Sequence, residues 1–210
     1  MFILYAILIG LVLGLLVGGR LVGLAAIQLR WSWVMLGGLL VQVVLFSEPV
    51  SARIGSLGPP IYVASTAAVI VAVLANRAVT GMPIVALGAA SNLAAIVVNG
   101  GYMPADPGAV GALGGGHPTA YSNSAIIADP ALAPLTDIFA LPTWVPFANV
   151  FSIGDVVIGI GVAVVIVAAM RRGNRTPAAN GLAVRAGTSP EQPKVPVLLG
   201  YRSRGSDGPK

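Results

Sequence analysis

The chain contains no cysteine and a single histidine, His117. Disulfides, thiolate metal sites and a cysteine nucleophile are thereby excluded, and one imidazole cannot build a histidine metal cluster, so no metal is assigned. Charge is scarce as well: 9% of the 210 residues are charged and 56% are hydrophobic. Soluble domains run near a quarter charged, so this chain has too little polar surface to solvate a globule of its size and is expected in a membrane. The formal net charge of +5 gives no argument for nucleic acid as a partner, because of where it sits. Arg171, Arg172, Arg175, Arg185, Lys194, Arg202, Arg204 and Lys210 face only Glu191 and Asp207, a balance of +6 that leaves −1 for everything before. A polybasic segment just after a membrane helix attracts anionic lipid headgroups by about 1 kcal/mol per residue near the surface. It serves equally as a solvated positive-inside anchor with no specific partner.

What the chain has in quantity is apolar sequence. Five uncharged stretches, 2–19, 31–47, 58–76, 81–98 and 153–170, approach the length needed to cross roughly 30 Å of hydrocarbon. Backbone groups in lipid must be bonded within their own segment, so these are expected as helices. The fold class is therefore an all-α integral membrane protein, a bundle of about five transmembrane helices over 1–172, followed by a disordered basic cytoplasmic tail over 173–210. Arg20 and Arg30 lie in the first connection, Arg53 in the second, Arg77 in the third and none in the fourth. Odd connections and the tail are then cytoplasmic, and the N-terminus and the loop 99–152 lie outside. The first helix lacks a basic start and reads as an uncleaved anchor. Between Arg20 and Arg30, "LVGLAAIQL" is too short to cross and is expected along the cytoplasmic interface.

A connection of some fifty residues is more often a lid or binding loop than a passive link. Its first half, "NGGYMPADPGAVGALGGGHPTAYSNS", is glycine-rich; its second, "PLTDIFALPTWVPFANVF", is apolar and broken by prolines. Trp144, Phe139, Phe147 and Phe151 suit the headgroup level, so this half is expected at the outer interface as an irregular lid. No internal repeat relates the halves of the chain, which removes one pointer to an inverted-repeat transporter.

The runs "LIGLVLGLLVGGRL", "NGGYMP", "YSNS", "DIFALP" and "VPFANVFSIGDVVIGIG", in that order, resemble the bacterial membrane-protein family catalogued as domain of unknown function 5317. The resemblance covers about residues 1–172. It implies a small multi-pass protein of the bacterial cell membrane and supplies no activity, substrate or catalytic residue.

Candidate residues are few. Gly10, Gly14 and Gly18 recur every four positions, a glycine-zipper face that lets a helix approach closely, either within the chain or in a homo-oligomer. Ala64, Ala68 and Ala72 form a similar face and a candidate partner. "GALGGGHPT" lacks the Lys-Ser/Thr ending of a phosphate loop. His117 within it is a solvated histidine or a pH sensor. Ser91 and Asn92 fall mid-helix, where an amide bonds between helices or lines a polar pathway. Asn99 with Gly100 and Gly101 is a natural helix stop as well as a ligand candidate, with Tyr102 beside it. The outer acids Asp106, Asp129, Asp137 and Asp155 have no Lys or Arg among them and suit a cation, although no ligand spacing names a metal.

Asp155 sits three residues after Ser152, the spacing of a capping box in which a serine oxygen and an acid each bond a free backbone N–H. The alternative is a functional acid, with Asn149 beside it and the lid above. Three function classes follow: a binding or transport module for a small polar, ionic or lipidic ligand at the outer face, an accessory subunit scaffolding a membrane complex, and a membrane-interface enzyme. The third is weakest, because an enzyme usually shows a nucleophile beside a base or a cluster of acids and histidines, and the outer acids have only His117 near them. Substrate and cofactor stay open.

Overall fold

Glycine pairs set the ends of two long helices. In a computed structural model of the chain, which describes residues 2–114 and 124–173, helix α1 spans Phe2–Leu16. Beyond it Gly18 takes φ +76°, and its N–H bonds Leu15 O at 2.9 Å while the Gly19 N–H bonds Gly14 O at 2.8 Å. These are the two bonds of a Schellman motif, which caps the last carbonyls and turns the chain. The same device ends a later helix at Gly100 and Gly101, whose N–H groups bond Val97 O and Ile96 O. Gly18 is thus a stop and no part of the packing face: a Cβ there would meet nothing within 4 Å.

The remaining helices are the short α2 (Val22–Ala25), α3 (Ser32–Leu45), α4 (Glu48–Ile54), α5 (Gly58–Leu74), α6 (Met82–Val98), the short α7 (Pro107–Ala112) and α8 (Ile153–Arg172). The connection around Arg53, outside the five apolar stretches, is helical: α4 runs through a 3-10 turn into α5, with Pro49 and Pro59 placed at helix starts where their missing N–H groups cost nothing. Two helical runs, Glu48–Leu74 and Ile153–Arg172, are long and apolar enough to cross a membrane. Phe2–Leu16, Ser32–Leu45 and Met82–Val98 are shorter apolar helices.

The long helices pack in the order α1, α8, α6, α5, α3. Between α6 and α8 the backbones nearly touch at two levels. A Cβ on Gly88 would lie 2.5 Å from Gly154 O, and one on Gly161 would lie 2.6 Å from Val85 N and 3.1 Å from Gly81 O. Gly81 and Gly88, like Gly154 and Gly161, are seven residues apart, two helical turns, so one smooth stripe on each helix meets the other. On its other side α8 receives α1. A Cβ on Gly10 would lie 2.9 Å from Ala163 Cα, and one on Gly14 2.4 Å from the sulfur of the fully buried Met170. The expected partner face on α5 is not used by α1: Ala64 and Ala68 are exposed and only Ala72 is buried.

Two asparagines tie connections to this frame. Asn76 donates Nδ2 to Arg30 O and accepts from Arg30 N, both at 2.8 Å, copying a backbone pair. Asn99 does the same with Ala131, at 2.8 and 2.9 Å. The loop after α6 is irregular yet hydrogen-bonded. β1 (Met103–Pro104) pairs in parallel with β2 (Ser124–Ala125), β3 (Phe139–Ala140) pairs antiparallel with β4 (Val150–Phe151), and Ala105 bridges Asp137. The tail expected as disordered after Gly173, and His117 with its neighbours, lie outside the described residues.

Candidate functional site

The start of α8 carries the geometry of a capping box. Ser152 Oγ accepts from the Asp155 N–H at 3.1 Å, and the Ser152 N–H donates to Asp155 Oδ2 at 3.0 Å. A third residue joins them across the glycine seam. Asn92 of α6 donates Nδ2 to Asp155 Oδ1 at 2.8 Å, and Ser152 Oγ stands 2.9 Å from Asn92 Oδ1. Gly154 makes this possible, since a Cβ there would fall 1.8 Å from Asn92 Oδ1. Asn92 is six residues before the end of α6, about 9 Å along its axis, so Asp155 sits well below the rim of that helix and beneath the loop.

The loop brings a second acid to the same place. Asp137 is fixed through its backbone: its N–H donates to Pro104 O at 2.9 Å and its carbonyl accepts from Asp106 N at 3.0 Å. Its side chain is 6% exposed, and Ser124 Oγ donates to its Oδ2 at 3.2 Å. Burial first, and then the charge of Asp155, push the Asp137 carboxyl up from 3.8 to about 7; the Ser124 hydrogen bond and the chain's α-amino group pull the other way.

Asp137 and Asp155 line one cavity of about 610 Å³. Gln42, Ser124 and Asn149 complete its polar side, and Phe2, Ile3, Leu39, Val150 and Ile158 its apolar side. It therefore lies between α1, α3 and α8, the two ends of the helix order and the helix next to α1, beside β2, β4 and Asp137 of the loop. Phe151 stacks on Phe2 at 4.7 Å and on Phe139 at 5.5 Å, which fixes the β3–β4 hairpin against the start of α1. Asn149 donates Nδ2 to Val150 O at 2.7 Å, while its Oδ1 is buried without a hydrogen-bond partner among the described residues.

Of the residues singled out in the sequence, Asp155, Asn149 and Asp137 come together here, and Asn92 reaches them through Asp155. Asn99 does not line the cavity; both ends of its amide hold Ala131. Tyr102 does not line it either. Asp106 caps α7 by accepting from Ala109 N at 2.8 Å, and Asp129 is exposed. Gly10 and Gly14 are packing residues against α8. Among the described residues no group of three or more His, Cys, Asp or Glu could hold a metal ion.

Gln42, Ser124 and Phe2 were not foreseen. Gln42 carried the one available signal, a lone amide inside an apolar helix. Ser65 and Thr66 both give their hydroxyl protons to Tyr62 O, at 2.9 and 2.8 Å, so only the Gln42 Nε2 can serve them, at 3.4 and 3.2 Å. The Gln42 amide oxygen is left as an acceptor.

Residues 26–167 match a family of unknown function, DUF5317, and the chain belongs to that family. The match begins after α1 and ends inside α8, a narrower span than the resemblance suggested. No curated protein and no solved structure matches the chain.

Proposed function

We propose that this protein is a multi-pass membrane protein, five helices deep, that binds a small polar or ionic ligand in the cavity beneath its outer loop, as a binding or transport module. In this reading the three shorter apolar helices cross the membrane together with the two longer runs, the N-terminus and the loop 99–152 lie outside, and Arg171 and Arg172 meet anionic lipid on the inside. The observation that carries the reading is the convergence of side chains from the loop, α3 and α8 on one partly open cavity of about 610 Å³. That volume falls within the few hundred to one thousand Å³ of small-molecule sites, and a few polar groups set in an apolar wall are their usual make-up.

The scaffold alternative loses the glycine face, because Gly10 and Gly14 are packed against α8 within the chain, and keeps only the exposed Ala64 and Ala68 of α5 as a docking surface. The enzyme alternative has two serine–carboxylate pairs to draw on, Ser124–Asp137 and Ser152–Asp155, but Ser152 is fully buried in the cap of α8 and no His, Lys or Arg lines the cavity among the described residues. Purification of the native protein in mild detergent, followed by mass spectrometry, tests the proposal. A bound small molecule that is lost from a cavity-filling Ile158→Trp variant supports a binding module. Stoichiometric protein subunits with no small molecule would replace it with a scaffold.

A further inference from the structure

The cavity has an excess of acceptors over donors. Asp137 is nine-tenths buried, and its Oδ2 alone receives a hydrogen bond, from Ser124, among the described residues. Asn149 Oδ1 is buried with nothing donating to it, and its amide protons turn to Val150 O. Gln42 spends its amide protons on Ser65 and Thr66 and keeps an acceptor. Asp155 already accepts from Asn92 and Ser152 but still brings negative charge to the wall. Among the described residues that line the cavity there is no Lys or Arg. Asn149 Oδ1 is a buried acceptor that no described residue serves, which is costly unless a donor arrives, so the occupant supplies hydrogens there and adds positive charge beside an acid pair that the chain's α-amino group offsets only weakly. The opposite wall, Phe2, Ile3, Leu39 and Ile158, is apolar and asks for a hydrocarbon body.

We infer that the cavity takes an amphiphilic organic amine, its protonated ammonium held by Asp137, Asn149 and Asp155 and its hydrocarbon part lying on the Phe2, Ile3 and Leu39 side. This rests on the reading of the cavity as a ligand site and names the ligand's class. Among the described residues the charge acting on Asp137 is that of Asp155 from α8, with a smaller opposite contribution from the chain's α-amino group; Ser124 from β2 faces it as a neutral donor. An ammonium binds the ionised carboxylate. With the Asp137 carboxyl at about 7, the ionised fraction grows from about a tenth at pH 6 to about nine tenths at pH 8, so affinity rises about tenfold over that interval and binding at pH 6 releases a proton.

The absence of cysteine permits a clean test. Val150→Cys places a thiol in the cavity wall, and Gly111→Cys on the exposed α7 serves as a surface reference. Rates are measured with a cationic and an anionic methanethiosulfonate of equal size, each normalised to the reference. The expected result is a cationic reagent about tenfold faster in the cavity, a preference that falls towards unity in Asp137→Asn and at pH 6. Phenethylammonium should slow the modification, while 3-phenylpropionate and phenethyl alcohol should not. Equal rates, or protection by the acid or the alcohol, would overturn the amine assignment and leave a ligand cavity of another class. No modification by either reagent while Gly111→Cys reacts would overturn both, since the cavity would then be closed. Ile158→Cys repeats the measurement from the α8 wall if Val150→Cys does not fold.

Discussion

Helix α8 has two sides that the molecule uses in opposite ways. Towards α6, Gly154 and Gly161 bring backbones so close that even a methyl group has no room, and the polar atoms at the seam, Asn92, Ser152 and the Asp155 N–H, are bonded to one another. Towards α1 and α3, Asp155 and Ile158 look into about 610 Å³ of space whose acceptors outnumber its donors. Close packing satisfies polar groups by excluding everything else. The cavity does the reverse, keeping room beside Asn149 Oδ1, a buried acceptor that no described residue serves. Asp155 stands where the two sides meet, one oxygen held by Asn92 and the other by the Ser152 backbone.

The largest expected effect breaks the comparison on the cavity side. Asp137 is raised to about 7 in the fold from a reference of 3.8, so its contribution to stability is complete below the lower value and is lost as pH rises through the upper one. A shift of that size corresponds to as much as about 4 kcal/mol. Thermal unfolding in detergent should therefore show wild-type stability falling from pH 4 to pH 8, and Asp137→Asn should flatten the curve. A wild type that gains stability over the same interval would contradict the burial of that acid.

On the seam side, Gly154→Leu should cost about 3 kcal/mol, because the new side chain must displace Asn92, whereas Ile158→Leu on the cavity side should cost less than about 1.5 kcal/mol. Equal losses in denaturant unfolding would mean that the two sides do not differ. At the junction, Asp155→Ala should lose about 0.5 to 2 kcal/mol and Asp155→Asn a comparable amount, since the amide keeps one acceptor for the Ser152 N–H but turns its NH2 towards the Asn92 Nδ2 donor. An unchanged melting temperature in Asp155→Ala would remove the capping role and leave the acid to the cavity alone. The smallest effect sharpens the distinction between a packing glycine and a stop. Gly18→Ala should cost about 1 kcal/mol through its left-handed φ alone, with no loss of the α1–α8 contact by crosslinking.

Short-range chemistry was legible in the sequence and long-range meeting points were not. Ser152 and Asp155 are three residues apart, and a capping box needs no more than that spacing. Asn99-Gly100-Gly101 announced a helix stop for the same reason. Gly18 did not, because its spacing from Gly10 and Gly14 also fits a helical face, and only the positive φ separates the two meanings. The Gly88 and Gly154 contact was hidden because each glycine is unremarkable on its own helix, and the stripe exists only when antiparallel helices are brought into register. Asp137 and Asp155 are eighteen residues apart, and their shared cavity depends on the bridge between Ala105 and Asp137, which no local pattern encodes. The helix α4 was missed because Glu48, Ser51 and Arg53 break the apolar run that marked its neighbours.

Single-cysteine labelling from outside intact cells tests the central claim, the proposed membrane bundle with its cavity beneath an outer loop, most directly. Gly111→Cys lies on the exposed α7 of the loop, and Ala78→Cys is exposed beside Arg77 in the connection between α5 and α6. The account predicts that a membrane-impermeant maleimide labels Gly111→Cys in intact cells and reaches Ala78→Cys only after the membrane is opened. Labelling of Ala78→Cys alone in intact cells would invert the topology, and equal labelling of both before lysis would contradict a membrane between them.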